Sequence, residues 1–149
     1  MADLRTGWQQ RALACVLADD HEQLLDACES LLLSEGVRVL GKAKTGEGAL
    51  QILEEQPITA VVVDLRLPDL NGLEVARRVS EIARRKTAVI IYTSYADDKM
   101  VGEALDAGAR AVVLKDGSCD NLLTAMAAVA AGEIYVDPQL RRDEVKAPS

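Results

Sequence analysis

The chain has no phenylalanine, one tryptophan and three tyrosines, so aromatics make up only 3% of its 149 residues. Its core must therefore be aliphatic, filled by Leu, Val, Ile and Ala. Histidine occurs once, at His21, and no CxxC pair is present, which argues against a zinc site. The three cysteines, Cys15, Cys28 and Cys119, are odd in number and widely spaced, a pattern that suits reduced thiols. Cys15 lies in an apolar run and Cys28 on the apolar side of a helical pattern, so both read as core filler. No apolar run approaches the ~20 residues of a membrane span. The opening Met1-Ala2-Asp3-Leu4-Arg5 lacks the apolar core of a secretory signal, so a cytoplasmic location without membrane contact is expected. Basic charge is in deficit as well, 17 Lys and Arg against 24 Asp and Glu. The net charge of −7 argues against a broad nucleic-acid surface and suits protein or cation partners.

What is present is an aliphatic chain, 49% hydrophobic and long enough for one domain with a core. Residues 1–11 read as a lead-in. Ala12 to Ala18 is a buried-strand run that stops at Asp19-Asp20. Leu24, Leu25, Cys28, Leu31 and Leu32 recur at helical spacing up to Gly36. Val37 to Ala43 is a second strand, and Thr45 can cap a helix that stops before Pro57. Ile58 to Asp64 is a third strand. Asn71 to Arg85 reads as a helix with Leu73, Ala76, Val79 and Ile82-Ala83 inward. Thr87 to Thr93 is a fourth strand, and Asp97 to Ala107 a helix closed by Gly108. Arg110 to Leu114 is a fifth strand, and Ser118 to Ala131 a last helix with Leu122, Met126 and Val129 inward, ending at Gly132. Strand then helix, five times over, implies a doubly wound parallel α/β sheet with helices on both faces. Residues 132–149 read as a linker or arm.

The strand ends carry the chemistry. The first ends in Asp19-Asp20, the third in Asp64, the fourth in Thr93-Ser94 and the fifth in Lys115. In a parallel sheet these ends share one edge, where α/β folds place their ligands. Taken singly, Asp20 reads as a cap or turn residue and Lys115 as a solvated charge. Together, clustered carboxylates repel one another, and a hard cation such as Mg²⁺ removes that penalty. Asp64 can attack phosphorus, as aspartyl-phosphate enzymes do. The cation, Lys115 and the Thr93 hydroxyl would then take the equatorial oxygens of the transferring group.

The segments ADDH at 18–21, DLRLPDLNG at 64–72, YTSYADD at 92–98 and AGARAVVLKD at 107–116 resemble the receiver domain of bacterial two-component response regulators. The resemblance covers residues 12–131. It implies the flavodoxin-like five-stranded order 2-1-3-4-5, with Asp64 as phospho-acceptor. It also implies Asp19, Asp20, Asp64 and the Arg66 backbone carbonyl as Mg²⁺ ligands, Thr93 as switch hydroxyl and Lys115 as the family's lysine. The implied donor is the phosphohistidine of a sensor histidine kinase. The chain would be a regulator, not a metabolic enzyme.

The ending LKDGSCDNLLTAMAAVAAGEIYVDPQL resembles the receiver end of NarL/LuxR-type transcriptional regulators. There a linker leads to a DNA-binding helix-turn-helix, which these 149 residues do not include. The reading is the N-terminal part of such a regulator, able to homodimerise. The alternatives are a stand-alone single-domain regulator and a phosphate-independent binding module. One departure stands out, since the family's aromatic three residues before the lysine is Val112 here. Readout is then expected through the Ser94–Asp98 loop, by way of Tyr95. Arg66 and Tyr95 are bulky and flank the site, and are expected to screen an acyl phosphate from water.

Other signals are discounted. Gly36 to Lys42 has most of a Walker A spacing, but position 43 is Ala and the intervening residues form a strand. Position 66 is Arg, where related aspartyl phosphatases want a second Asp. His21, after the acidic pair, reads as a surface residue at a helix N-terminus, the alternative being a modulator of the pocket's charge. Arg77, Arg78, Arg84, Arg85 and Lys86 read as a solvated helix face.

Overall fold

A computed structural model describes residues 13–56, 58–82, 86–115 and 119–140. The lead-in, Ser118, Ala83 to Arg85 and the last nine positions lie outside these residues. Strands and helices alternate as β1 (Ala14–Ala18), α1 (Glu22–Ser34), β2 (Arg38–Ala43), α2 (Gly46–Glu55), β3 (Ala60–Val63) and α3 (Gly72–Ser80). The chain continues as β4 (Ala88–Thr93), α4 (Asp98–Asp106), β5 (Ala111–Leu114), α5 (Asp120–Ala130) and β6 (Tyr135–Val136).

Capping residues set the helix starts. Thr45 Oγ1 accepts from Gly48 N–H at 3.0 Å, Asn71 Oδ1 from Glu74 N–H at 2.9 Å and Asp97 Oδ1 from Met100 N–H at 2.9 Å. Each satisfies a first-turn donor that has no partner inside its helix. Thr45→Ala is expected to cost about 1 kcal/mol. It should lower the urea midpoint and leave the slope unchanged, because the surface exposed on unfolding is the same.

The helix stops foreseen at Gly36, Gly108 and Gly132 are all present. At Gly108 the backbone is left-handed, with φ 109°, and Ala109 N–H closes onto Ala104 O at 3.0 Å. A side chain there would also run into Ser80, whose hydroxyl binds Ala76 O at 2.8 Å and Ala107 O at 3.2 Å. That hydroxyl stands where α3 ends. The helix expected over 71–85 therefore closes at Ser80, and Ile82 is 37% exposed instead of inward. Leu73 and Val129 are half-buried and pack against the core from its margin.

All strands are parallel in the order β2-β1-β3-β4-β5-β6. Five match the expected order, and the sixth is a correction. Tyr135 and Val136, in the stretch read as linker, pair with Ala111 and Val112 and cover what would be an open sheet edge.

Side-chain alternation divides the core between two faces. Val61, Val63, Val89 and Ile91 pack beneath α2, α3 and α4. Ala60, Val62, Ile90 and Tyr92 pack beneath α1 and α5. Cys15 and Cys28 are buried on the second face, as core filler.

Candidate functional site

Ladder bonds carry the strand ends to one edge of the sheet. Asp19 N–H donates to Ala43 O at 3.0 Å, Asp64 N–H to Ala18 O at 3.2 Å and Lys115 N–H to Thr93 O at 2.7 Å. Each residue is thereby held one step beyond its strand, with its side chain over the carboxyl end. Carboxylate oxygens of Asp19, Asp20 and Asp64 all lie within 4.8 Å of one another. Lys115 Nζ spans two of them, 2.5 Å from Asp19 Oδ2 and 2.8 Å from Asp64 Oδ2. These residues are 96 and 51 positions from Lys115 in sequence.

Burial grades the cluster. Asp19 is buried, Asp64 half-buried and Asp20 exposed. Both Asp19 oxygens are bonded, since the one not held by Lys115 accepts His21 N–H at 2.9 Å. His21 occupies the N-cap position of α1 without a side-chain bond and is exposed, as expected. The N-cap position of α1 belongs to His21 and not to Asp20, so the cap reading of Asp20 does not hold. Burial by itself would push the Lys115 ammonium down. The Asp19 and Asp64 carboxylates outweigh it by hydrogen bond and charge, and the net shift is upward. Lys115 thus stays cationic, its ammonium 5.9 Å from the Tyr92 ring.

Thr93 is buried at the end of β4, and its hydroxyl is bonded to the loop that follows. Oγ1 donates to Tyr95 O at 3.3 Å and accepts from Tyr95 N–H at 3.5 Å. The hydroxyl that sequence placed among the converging groups is bonded to the following loop. Arg66 is exposed, and its backbone N–H donates to Asp64 Oδ1 at 3.3 Å. It also bridges to Asn71, folding the β3–α3 loop back beside Asp64. The fold of that loop requires Gly72. A Cβ there would stand 2.8 Å from the Asp64 carbonyl oxygen, closer than real side chains come to backbone.

Asp69 is a residue whose role sequence did not reveal. Its carboxylate accepts from Gly46 N–H at 2.8 Å, Glu47 N–H at 2.9 Å and Leu70 N–H at 2.8 Å. It ties the same loop to the start of α2. The signal available was an Asp in a Pro-Asp-Leu-Asn-Gly turn, which reads as a turn residue and nothing more.

The bond from Glu47, then that from Gly46, hold the Asp69 carboxyl below the ordinary aspartate range. A depressed folded value means the carboxylate form is favoured by folding. Its stabilisation is complete above the unfolded aspartate value and is lost as pH falls through the lower folded value. Asp69→Asn is expected to flatten that acid limb in urea melts taken from pH 6 to pH 3 (about the carboxylate range). An unchanged limb would count against the clamp.

Arg77 and Arg78 lie on the outer side of α3 and pair with Glu74, and Arg78 also reaches Glu47 at 2.9 Å. That is the solvated face expected of them, with Lys86 exposed and Arg84 and Arg85 outside the described residues.

Comparison with known proteins agrees with this geometry. The family model "Response regulator receiver domain" matches residues 15–127. The nitrate/nitrite response regulator protein NarL of Escherichia coli K12 is 30% identical over 132 residues, 88% of this chain and 61% of its own. The transcriptional regulatory protein DesR of Bacillus subtilis is 29% identical over 88% of this chain and 65% of its own. The chain thus spans less than two thirds of the length of either regulator. A LuxR-family two-component response regulator from Aurantimonas superposes with a TM-score of 0.83 at 25% identity, covering 89% of this chain and 95% of that one. On the match over residues 15–127, the chain belongs to the response regulator receiver domain family, with NarL/LuxR-type regulators as its relatives.

Proposed function

We propose that Asp64 is the phospho-acceptor of this receiver, taking its phosphoryl group from a phosphohistidine of a sensor histidine kinase. The reading is supported above all by one arrangement, a half-buried Asp64 bonded to Lys115 and flanked by Asp19 and Asp20. An Asp64 oxygen attacks phosphorus in line, the phosphorus–nitrogen bond breaks, and the imidazole leaves. Lys115 stands where charge grows on an equatorial oxygen, preorganised by its two carboxylate partners. Three carboxylates within 4.8 Å form a hard oxygen donor set that fits a cation of the Mg²⁺ class. Asp19, Asp20, Asp64 and the Arg66 carbonyl would hold it, and it would neutralise the cluster and polarise a phosphoryl oxygen.

The switch follows from the bonds that Thr93 makes now. A phosphoryl group on Asp64 competes for the Thr93 hydroxyl, which must then give up Tyr95. The shift is passed to the Ser94–Asp98 loop and α4, a route that does not need an aromatic at Val112. Phosphorylation biases such an equilibrium only by the difference in its contacts with the two states.

The same reading makes residues 12–131 the receiver part of a transcriptional regulator of NarL/LuxR type, cytoplasmic and able to homodimerise. DNA would be bound through a separate helix-turn-helix, and the receiver would not act as a metabolic enzyme. No helix among the described residues is long and apolar enough to cross a membrane.

The test is intact mass after incubation with acetyl phosphate. A gain of about 80 Da is expected, requiring Mg²⁺ and absent in Asp64→Ala. An equal gain in Asp64→Ala would overturn the assignment.

Arg66 and Tyr95 flank the site and are exposed, Tyr95 by 60%. The double variant Arg66→Ala/Tyr95→Ala is expected to lose its phosphoryl group several-fold faster than wild type, because water reaches the acyl phosphate more easily. Slower loss in the variant would remove these side chains from that role.

A further inference from the structure

Two cysteines far apart in sequence meet beside the site. Cys28 Sγ, on α1, lies 3.4 Å from Cys119 Sγ, at the N-cap position of α5, and both are free thiols. Cys28 is buried, whereas Cys119 is partly exposed. Cys28 lines a small cavity that Asp19 and Asp64 also line. The Tyr92 hydroxyl donates to Cys119 Sγ at 3.7 Å. A disulfide is about 2.05 Å long, so the sulfurs need to close by about 1.4 Å from their 3.4 Å separation. That is within the reach of side-chain rotation combined with a small backbone shift.

We propose that Cys28 and Cys119 form an oxidation site, at which a hydroperoxide such as hydrogen peroxide joins them in an intramolecular disulfide within the folded chain. The partly exposed Cys119 reacts first. Its thiolate attacks one peroxide oxygen, the oxygen–oxygen bond breaks, and the departing hydroxide takes up a proton to leave as water. Cys119 is then a sulfenic acid. The Cys28 sulfur attacks the Cys119 sulfur, the sulfur–oxygen bond breaks, and the hydroxide leaves as a second water with the Cys28 proton. Two thiols are oxidised and one peroxide is reduced to two waters.

The order follows from the surroundings. Burial, followed by the contact with Cys119, pushes the Cys28 thiol up to about 12, which makes it a poor first nucleophile. As resolving partner it is already in contact with its target. Cys15 is fully buried, and its thiol too is pushed up to about 12 by burial, so it serves as the internal control. The disulfide closes a ring from residue 28 to residue 119 that contains Asp64, Thr93 and Lys115. It also ties the start of α5 to α1.

The experiment treats the full chain with hydrogen peroxide under native conditions, then alkylates free thiols and measures intact mass and peptides. The expected result is a loss of about 2 Da before alkylation, a linked peptide pair carrying Cys28 and Cys119, and reversal by dithiothreitol. Cys119→Ser should abolish the loss. Cys28→Ser should leave Cys119 to gain oxygen in steps of about 16 Da. Should Cys28→Ser fail to fold, the partly exposed Cys119→Ser and the wild-type peptide map carry the test. Added oxygen without a cross-link in wild type, a bond to Cys15, a bond between two chains, or no change in mass would each overturn the proposal.

Discussion

Lys115→Ala is expected to slow acetyl-phosphate labelling of Asp64 by about 10²- to 10³-fold, the usual cost of losing one preorganised donor to a developing anion. The ammonium is held at 2.5 and 2.8 Å by two carboxylates from different strands, so its place is fixed before any phosphoryl group arrives. No reorganisation is then needed when charge grows on phosphorus, and that is why its removal should act on rate. Stability should fall as well. Asp19 is only 5% exposed, and without Lys115 it faces Asp64 with no cation between them. Breaking such a pair costs about 3 kcal/mol, at the lower end of the range for buried ion pairs because the cluster opens to solvent at Asp20. Mg²⁺ should restore part of this loss in the variant, since a cation binding the native cluster stabilises the folded state by mass action.

Lys115→Arg is the informative companion. A planar fork does not fit between oxygens that a single nitrogen bridges, so the charge is kept but the geometry is lost. Stability near wild type with slow labelling would separate position from charge. Initial rates of mass gain, read beside urea midpoints, measure both effects. Labelling of Lys115→Ala at the wild-type rate would remove the ammonium from the transfer step and leave it a structural role.

The cluster could be read from sequence because of how the sheet is built. Ala14 to Ala18 and Ala60 to Val63 are buried throughout and written in apolar residues, so the first charge after each marks the sheet edge. Parallel pairing then brings Asp19, Asp64 and Lys115 together without any knowledge of loop shape. Position was legible in this way, but orientation was not. Whether the Thr93 hydroxyl faces Asp64 or Tyr95 depends on the turn after β4, which periodicity does not report.

The end of α3 was hidden for a similar reason. Ile82 keeps the helical spacing, but Ser80 takes the Ala76 and Ala107 carbonyls and the helix closes there. The Cys28–Cys119 contact joins residues 91 apart through the N-cap of α5, and spacing alone suggested no pairing. The sixth strand was least legible of all, because two residues cannot show a period of two.

That last strand leads to the second large expected effect. Asp137→Ala should destabilise the chain by about 2–4 kcal/mol, because it leaves buried donors without partners. Asp137 is fully buried. One carboxylate oxygen accepts Leu114 N–H at 3.0 Å and is 3.4 Å from the Asn121 amide nitrogen, and the other accepts Gln139 N–H at 3.0 Å. Its own N–H continues the ladder to Val112 O at 2.9 Å. The side chain therefore does for Leu114 what a third residue of β6 would have done, and the strand can stop at two. Leu140, 3% exposed, then closes over the α2–α4 face of the core.

Asp137→Asn tests the carboxylate itself. An amide offers one oxygen where two are used, so one of the two backbone donors must meet an NH₂ group. It should lose somewhat less stability than the alanine variant and still fall below wild type. Urea midpoints of the three proteins should rank in that order. Because Leu114 immediately precedes Lys115, the labelling rate should drop in both variants even where they remain folded. A folded Asp137→Ala with wild-type stability and rate would show that β6 holds to β5 without the clamp. The expected result instead makes this carboxylate the bond that ties β5, the strand just before Lys115, to β6.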